Sequence, residues 1–346
     1  MSIIHALKVG QVQYILSIPY PFKPTTGRVY HPAVRAGLPT WGAGVKRLQG
    51  DHGEGDRIPP LRMRSKLDNQ TCPYCGRDLR AVGSTKEHVV GKRFVPKGTM
   101  AATWNLILKA CPECNARKAD FEDEMSAASM QPNIFGNLAR PDEQLRIEAR
   151  RKGRRSISRL TGKTIVKSPE RLQIKGQLAQ GLNLSVSLVA PPQLMRERVY
   201  ALAGMQISAF FYLITFNPDM KRGFCLIPVA FSHRGDWGNS VQTAFMSSVR
   251  EWDPRLIAET AQGYFKVAIR RQQPPLAPCW SWALEWNESI RVIGFLGDEQ
   301  SAATVCRGFP KQAASTIPLA EGHLEITREI PLQIADDTMF SSCGSI

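Results

Sequence analysis

The chain is poor in acidic residues and in histidine. It has 30 Asp and Glu against 45 Lys and Arg, which gives a formal net charge of +15 and a pI of about 9.7. This deficit of acid points to a polyanionic partner, either a nucleic acid or an anionic membrane surface. With only six histidines in 346 residues, few positions can carry imidazole chemistry.

Targeting and membrane-spanning signals are also missing. The first 22 residues have no basic stretch followed by an apolar run and a small-residue cleavage site, so we expect a cytoplasmic, reducing location. Residues 199–218 carry no charge and are nominally long enough to cross a bilayer. This run contains Gln206 and Asn217 and continues a charged helical pattern, so we predict a buried core helix and no membrane contact.

Composition divides the chain into five segments, because 346 residues exceed what one hydrophobic core usually serves. The predicted fold class is α+β, with a small zinc-bound ββα module and a separate C-terminal α+β domain that contains an antiparallel sheet. The predicted segments are an irregular N-terminal extension (1–65), the cysteine module (66–130), a basic linker (131–190), the C-terminal domain (191–320) and a tail (321–346).

The C-terminal domain has one helical and two clear strand patterns. A helix is predicted over residues 193–216, and strands over 264–271 and 279–286. In the second strand three tryptophans and a leucine alternate with smaller or polar residues. This spacing favours sheet core over the stacking of nucleobases. The residues of the stripe are Trp280, Trp282, Leu284 and Trp286.

Two Cys-x-x-Cys motifs stand 35 residues apart in the cysteine module. Each motif places two thiolates on one tight turn, and two such turns complete a closed tetrahedral zinc site. A site with four thiolates leaves no open coordination position, so we predict that this zinc is structural. Gly76, after the first motif, permits the positive φ that such a turn often needs. The predicted ligands are Cys72, Cys75, Cys111 and Cys114.

The insert between the two motifs reads as a strand, a loop and a second strand, followed by a helix from about residue 115 to residue 125. It contains the pair Glu87-His88 in the stretch STKEHVVGKRF. An imidazole titrates near neutrality and is therefore the natural general base for phosphodiester hydrolysis, which also needs a cation at the phosphate. Extended backbone would point Glu87 away from His88, whereas a bend would let the carboxylate reach a metal.

Three further residues of the module suit the same chemistry. Asn105 can hold the backbone near the histidine through its amide. Asn115 offers a neutral oxygen, which is a reasonable ligand for a hard cation. Lys118 stands one helical turn further along and is predicted to contact a phosphate.

At these residues the stretch from Cys72 to Lys118 resembles the HNH (ββα-metal) endonucleases, in the subset with two Cys-x-x-Cys motifs. The resemblance implies that His88 is the general base, that Glu87 is a cation ligand where many members have Asp, and that Asn105 orients the histidine loop. It implies Mg²⁺ or Mn²⁺ as the catalytic ion and DNA as the substrate, with RNA not excluded. This chain has Asn115 where the name of the motif has His, and the resemblance covers about 50 residues.

A strongly basic segment follows the module. Residues 140–175 contain twelve Lys or Arg and four Asp or Glu, a net charge of +8. Its position after the module favours phosphate contacts over a merely solvated linker. The alternative function is a non-catalytic, zinc-dependent nucleic-acid-binding protein, and a homodimer or a protein partner for the C-terminal domain stays open. The predicted phosphate contacts are Arg150, Arg151, Lys152, Arg154 and Arg155.

Overall fold

The structure is a computed structural model that describes most of the chain from residue 65 onward. The described residues are 65–101, 103–132, 138, 140, 142–169, 192, 194–225, 239–273, 279–297, 299–309 and 334–341, together with seven further strands given below. None of the helices in this part of the chain is long and apolar enough to cross a membrane.

The fold is mixed α+β, as the sequence predicts, with four separate sheets among the described residues. In chain order the helices and strands are β1 (His5–Val9), β2 (Val12–Ser17), β3 (Ser65–Lys66), α1 (Leu79–Val82), β4 (Thr85–His88), β5 (Leu106–Ala110), α2 (Pro112–Ser129), α3 (Glu143–Arg155), β6 (Arg171–Ala179), β7 (Leu182–Val189), α4 (Arg196–Ile214), β8 (His233–Gly235), α5 (Asn239–Val249), β9 (Asp253–Thr260), β10 (Phe265–Arg271), β11 (Cys279–Trp286), β12 (Ile290–Gly297), α6 (Glu299–Arg307), β13 (Ala314–Leu319) and β14 (Gly322–Glu329).

The cysteine module contains a three-stranded sheet of order β3-β5-β4, on which α2 packs. Strands β4 and β5 are antiparallel, so the predicted ββα arrangement is present in outline. Helix α2 begins directly after Cys111, with Pro112 at its first position, where the missing N–H of proline has no cost. It is longer at both ends than the sequence predicted.

Two strands from the N-terminal extension join a sheet with two strands from the end of the chain, in the order β1-β2-β14-β13. Segment 1–65 was predicted to be an irregular extension with one strand-like run at 12–18, which β2 matches, and 321–346 was predicted to be a tail. The pairings of β1 and β14 correct both descriptions for the residues concerned. Residues 18–64 of the predicted extension lie outside the described part of the chain. The basic segment 131–190 is likewise more ordered than a linker, since it contains α3 and the hairpin β6–β7.

The C-terminal sheet is antiparallel, with the order β8-β12-β11-β10-β9, and both of its faces are covered. The face that carries Trp282, Leu284 and Trp286 packs with α4, which confirms the predicted core helix and the tryptophan stripe as core. The opposite face, with Ala283 and Ile293, packs with α5 and α6. A five-stranded sheet between helices is the result.

The cysteine module and the C-terminal sheet share one hydrophobic core, although the sequence analysis treated them as separate units. The Trp104 ring stacks on Phe210 of α4 with centroids 5.9 Å apart, and Phe94 meets Trp286 edge to face at 5.6 Å. At the tip of the β11–β12 hairpin the Asn287 amide donates to Ser129 Oγ (2.7 Å) and to the Phe94 carbonyl (3.2 Å). The sheet thereby supports the loop that follows β4.

Candidate metal centre and adjoining site

Four sulfur atoms converge at one end of the cysteine module. All lie within 4.8 Å of one another, and no other cluster of three or more His, Cys, Asp or Glu ligands is found among the described residues. A tetrahedral zinc ion with Zn–S bonds of about 2.3 Å holds its sulfurs about 3.8 Å apart. The Sγ atoms of Cys75 and Cys111 are 3.7 Å apart. The tetrad of Cys72, Cys75, Cys111 and Cys114 can therefore hold a structural zinc ion.

The first Cys-x-x-Cys turn is closed by backbone hydrogen bonds and supplied with a cation. The Gly76 N–H donates to the Cys72 carbonyl at 2.8 Å, and Gly76 has the predicted positive φ, at 74°. The Arg77 guanidinium donates to the sulfurs of Cys75 (3.3 Å) and Cys111 (3.4 Å). A hydrogen bond with Cys114 lowers the pKa of the Cys72 thiol to about 5. The same hydrogen bond raises the pKa of Cys114, and burial raises that of Cys111, so the network favours the thiolate form at Cys72.

Strand β4 places its side chains alternately toward α2 and away from it. Thr85 and Glu87 face α2, because Asn115 Nδ2 of the helix donates to Thr85 Oγ1 at 2.9 Å and Lys118 Nζ lies 2.8 Å from Glu87 Oε1. His88, the last residue of the strand, is half-buried. The structure thus brings Glu87 and Asn115 to one interface, and backbone alternation directs His88 to the other side of the strand.

Asn105 holds the backbone just beyond the histidine, as the sequence predicts. Its Oδ1 accepts from the Val90 N–H at 3.3 Å, and its Nδ2 donates to the Val90 carbonyl at 2.9 Å. The side chain is 3% exposed, so no solvent competes for these two bonds. Asn105 is therefore a backbone clamp for the segment that carries His88.

Glu87 and Lys118 form a buried ion pair, which does not fit the roles predicted for them. Lys118 is 1% exposed and Glu87 is 4% exposed. Lys118 Nζ also lies 2.6 Å from Glu122 Oε1, and the Tyr74 hydroxyl donates to Glu87 Oε1 at 3.0 Å. An ammonium buried in this way cannot contact a phosphate, and a carboxylate neutralised by it is a poor ligand for a hard cation. We call Tyr74, Glu87, Lys118 and Glu122 the lysine cage.

His88 lies in a cationic environment. Burial, with Lys86 and Lys92 nearby, lowers the pKa of the imidazole below its ordinary value, and Lys118 acts in the same direction while Glu87 opposes it. The ring is therefore neutral near pH 7 and can accept a proton. Asn115 of the predicted set offers a carbonyl oxygen, Oδ1, beside β4.

The predicted phosphate contacts divide into two groups on α3. Arg150, Arg151, Arg154 and Arg155 are exposed. Lys152 is buried instead, and its ammonium donates to the Arg93 carbonyl and to Ser126 Oγ. The prediction that Lys152 contacts a phosphate is corrected accordingly, because its cation serves to attach α3 to the loop after β4.

Sequence reasoning overlooked Tyr74, Arg77 and Glu122. The spacing of Glu122 four residues after Lys118 on a predicted helix was a usable signal for their ion pair. Tyr74 gave no such signal, because Glu87 lies 13 residues away, and for Arg77 the partners Cys111 and Glu113 lie 34 and 36 residues away. No family model, curated protein or solved structure matches this chain.

Proposed function

We propose that the chain is a metal-dependent endonuclease of the HNH type that hydrolyses phosphodiester bonds in DNA. The observation that supports it best is the setting of His88. A half-buried imidazole with a lowered pKa ends the first strand of a ββα unit, beside a cysteine tetrad suited to zinc. Asn105 holds the backbone two residues further on. A neutral imidazole among cations, on a backbone held by Asn105 and Lys118, suits a general base that acts on a phosphodiester.

In the proposed reaction His88 takes a proton from a water molecule as the water oxygen attacks phosphorus. The bond from phosphorus to the leaving oxygen then breaks, and a 5′- or 3′-phosphate end and a free hydroxyl result. Mg²⁺ or Mn²⁺ would supply charge neutralisation at the phosphate and the leaving oxygen. Of the two predicted ligands, Asn115 is bonded to Thr85 on the side of β4 that faces α2, and Glu87 would first have to leave Lys118.

Exposed cations extend from the imidazole toward α3 and suit a polyanionic backbone. Lys86 and Lys92 affect His88 directly, and the loop that follows them is fixed to α3, because Gln144 donates to the Lys97 carbonyl and Lys152 donates to the Arg93 carbonyl. The exposed arginines of α3 therefore adjoin the same loop. Contacts of this kind would strengthen binding without reading sequence and would make binding steeply salt-dependent.

The second candidate is a zinc-dependent nucleic-acid-binding protein without catalytic activity. One observation favours it: the carboxylate of Glu87 is neutralised by Lys118 and is not free to hold a catalytic cation. The cationic surface and the cysteine tetrad suit this function equally well.

Nicking of supercoiled plasmid with and without Mg²⁺ or Mn²⁺ separates the two candidates. We expect wild-type protein to nick in the presence of the ion, and His88→Ala to reduce the rate by about 10²- to 10⁴-fold. Zinc content and DNA affinity should stay within about twofold of wild type, since the ring holds neither. Arg80→Gln, an exposed cation paired with Asp78, is the matched control and should cut normally. Cleavage that persists in His88→Ala would remove the imidazole from the mechanism.

A further inference from the structure

The lysine cage satisfies every donor of a buried ammonium. Lys118 Nζ is 2.8 Å from Glu87 Oε1, 2.6 Å from Glu122 Oε1 and 3.2 Å from the carbonyl oxygen of His88. An ammonium has three N–H donors, so the two carboxylates and the carbonyl use all of them. The cage therefore binds the peptide of His88 itself.

Charge keeps the ammonium in this position. Burial works against the cation, but the carboxylates of Glu122 and Glu87 outweigh it and raise the pKa of Lys118 above its ordinary value. Burial raises the pKa of Glu122, while Lys118 opposes that rise. Removing one member of such a set leaves an uncompensated buried charge, which is costly. The cage is a fixed part of the fold, and a divalent cation would have to displace the ammonium to use Glu87.

The cage and Asn105 together hold the whole backbone segment after His88. The Val89 N–H donates to the Leu106 carbonyl at 3.0 Å, and the Gly91 N–H donates to Glu122 Oε1 at 3.2 Å. Asn105 takes both polar groups of the residue between them. A Cβ at Gly91 would collide with the Glu122 carboxylate, so a side chain there would require that carboxylate to shift. Each backbone N–H from residue 89 to residue 91 thus donates a hydrogen bond, and two of the three acceptors are the side chains of Asn105 and Glu122.

We propose that Glu87, Lys118 and Glu122 are positioning residues that fix the backbone of His88 and its loop, and that Glu87 is not a ligand of the catalytic cation. The inference rests on the proposed function for its catalytic meaning. In this proposal the side chains of β4 that face α2 hold the backbone of His88, and the reaction takes place on the side of β4 that faces away from α2. A carboxylate at residue 87 then acts through Lys118.

Binding of Mn²⁺ to the zinc-loaded full chain tests the inference without requiring activity. If Glu87 is a positioning residue, Glu87→Gln should change the Mn²⁺ dissociation constant by less than about twofold, whereas loss of a direct ligand weakens binding more than about tenfold. Asp68→Asn removes a carboxylate from an exposed pair with Lys109 and serves as the matched control. Weakened Mn²⁺ binding confined to Glu87→Gln would overturn the inference.

Hydrogen exchange and the titration of His88 test the holding role. In Glu122→Ala the Gly91 amide should exchange at least about tenfold faster, and Tyr74→Phe, which removes one hydroxyl, should retain the fold and show a smaller increase. In Glu87→Gln the pKa of His88 should fall, because Glu87 raises it whereas Lys86, Lys92 and Lys118 lower it. Unchanged exchange in Glu122→Ala, or an unchanged His88 titration in Glu87→Gln, would refute the holding role. Wild-type protein that cuts no nucleic acid but passes both tests would refute the nuclease proposal alone.

Discussion

The cysteine module and the C-terminal sheet are stabilised by different kinds of interaction. The module has only short strands and buries polar groups that each have specific partners, among them Glu87, Asn105, Lys118 and Glu124. The core of the sheet consists mainly of aromatic and aliphatic side chains on strands of seven or eight residues, packed against helices on both faces. The sheet also buries one ion network, in which Arg291 pairs with Glu285 and Asp337. The two regions therefore differ in proportion: directional contacts are more prominent in the module, and apolar area is more prominent in the sheet.

This difference affects how precisely each region places its atoms and how well it tolerates substitutions. Buried hydrogen bonds and ion pairs fix atoms to within a few tenths of an ångström, but each lost partner leaves a buried charge or donor unsatisfied. Apolar packing accepts changes that preserve volume. If His88 is the general base proposed above, the region that holds its backbone is of the first kind and the supporting region is of the second.

The largest expected effect comes from removing the metal centre. Cys111→Ser, or a strong chelator, should abolish zinc binding and unfold residues 65–132, because structural zinc sites contribute on the order of 10 kcal/mol to folding. Zinc content and hydrogen exchange measured by peptide would report the loss. Peptides from β9–β12 should lose less protection than those of the module, because the opposite face of the sheet has a separate hydrophobic cluster with α5 and α6.

Cys225→Ser is the control for that change. Cys225 adjoins Gly76 but is not part of the tetrad, and burial raises the pKa of its thiol to about 12. Full zinc content is expected in this variant. Equal loss of protection in both regions of Cys111→Ser would show that the comparison between them is mistaken.

The second effect concerns the contact between the regions. Arg198 of α4 pairs with Glu124 and Asp120 of α2, at 2.6 Å in each case, and Glu124 is fully buried. Among the described residues, Arg198→Met would leave the Glu124 carboxylate with only the Arg159 N–H as a donor, at a cost of about 3–5 kcal/mol. Urea unfolding measures this change, with Arg80→Met as an exposed control expected to unfold at nearly the same urea concentration as wild type. A small change in Arg198→Met would mean that apolar packing alone joins the regions.

Sequence reasoning succeeded where the determining pattern is local. Alternation over eight residues identified β11, a charge-free apolar run identified α4, and two short cysteine motifs identified the tetrad. Each of these signals depends on neighbours in the chain. The clamp by Asn105 was also anticipated, because an amide can serve both polar groups of one peptide.

The same reasoning failed where a charged residue is buried. Lys152 stands in a basic stretch and Lys118 stands one helical turn after Asn115, and both were predicted to contact phosphate, as exposed lysines can. Their partners come from β4, α2 and the loop after β4, and no local pattern identifies such contacts. The pairing of β2 with β14 escaped for a similar reason, since more than 300 residues separate them.

A third effect distinguishes buried from exposed cations on α3. Burial lowers the pKa of Lys152 to about 8 from its ordinary 10.5, so the unfolded chain binds one more proton than the folded chain between those values. Stability should therefore rise by about 1–3 kcal/mol as the pH rises from 8 to 10.5, all else being equal. Comparing the unfolding free energies of wild type and Lys152→Met across this pH range isolates the contribution of Lys152. Parallel stability curves would mean that Lys152 is not buried as a cation.

The smallest expected change in stability comes from the sheet, where the Trp286 side chain packs in the apolar core and makes one hydrogen bond. Its indole Nε1 donates to Gln206 Oε1 at 2.9 Å, and its ring meets Phe94 of the module. Trp286→Phe keeps most of the apolar volume but leaves the buried Gln206 oxygen without its donor, so we expect a loss of about 1–2 kcal/mol. Trp280→Phe, at a half-buried position on the same strand face, is the matched control and should lose less. If the Trp286 variant instead abolished folding or slowed a His88-dependent cleavage more than tenfold, the sheet would position the loop as closely as the lysine cage does, and the division between a precise region and a tolerant one would fail.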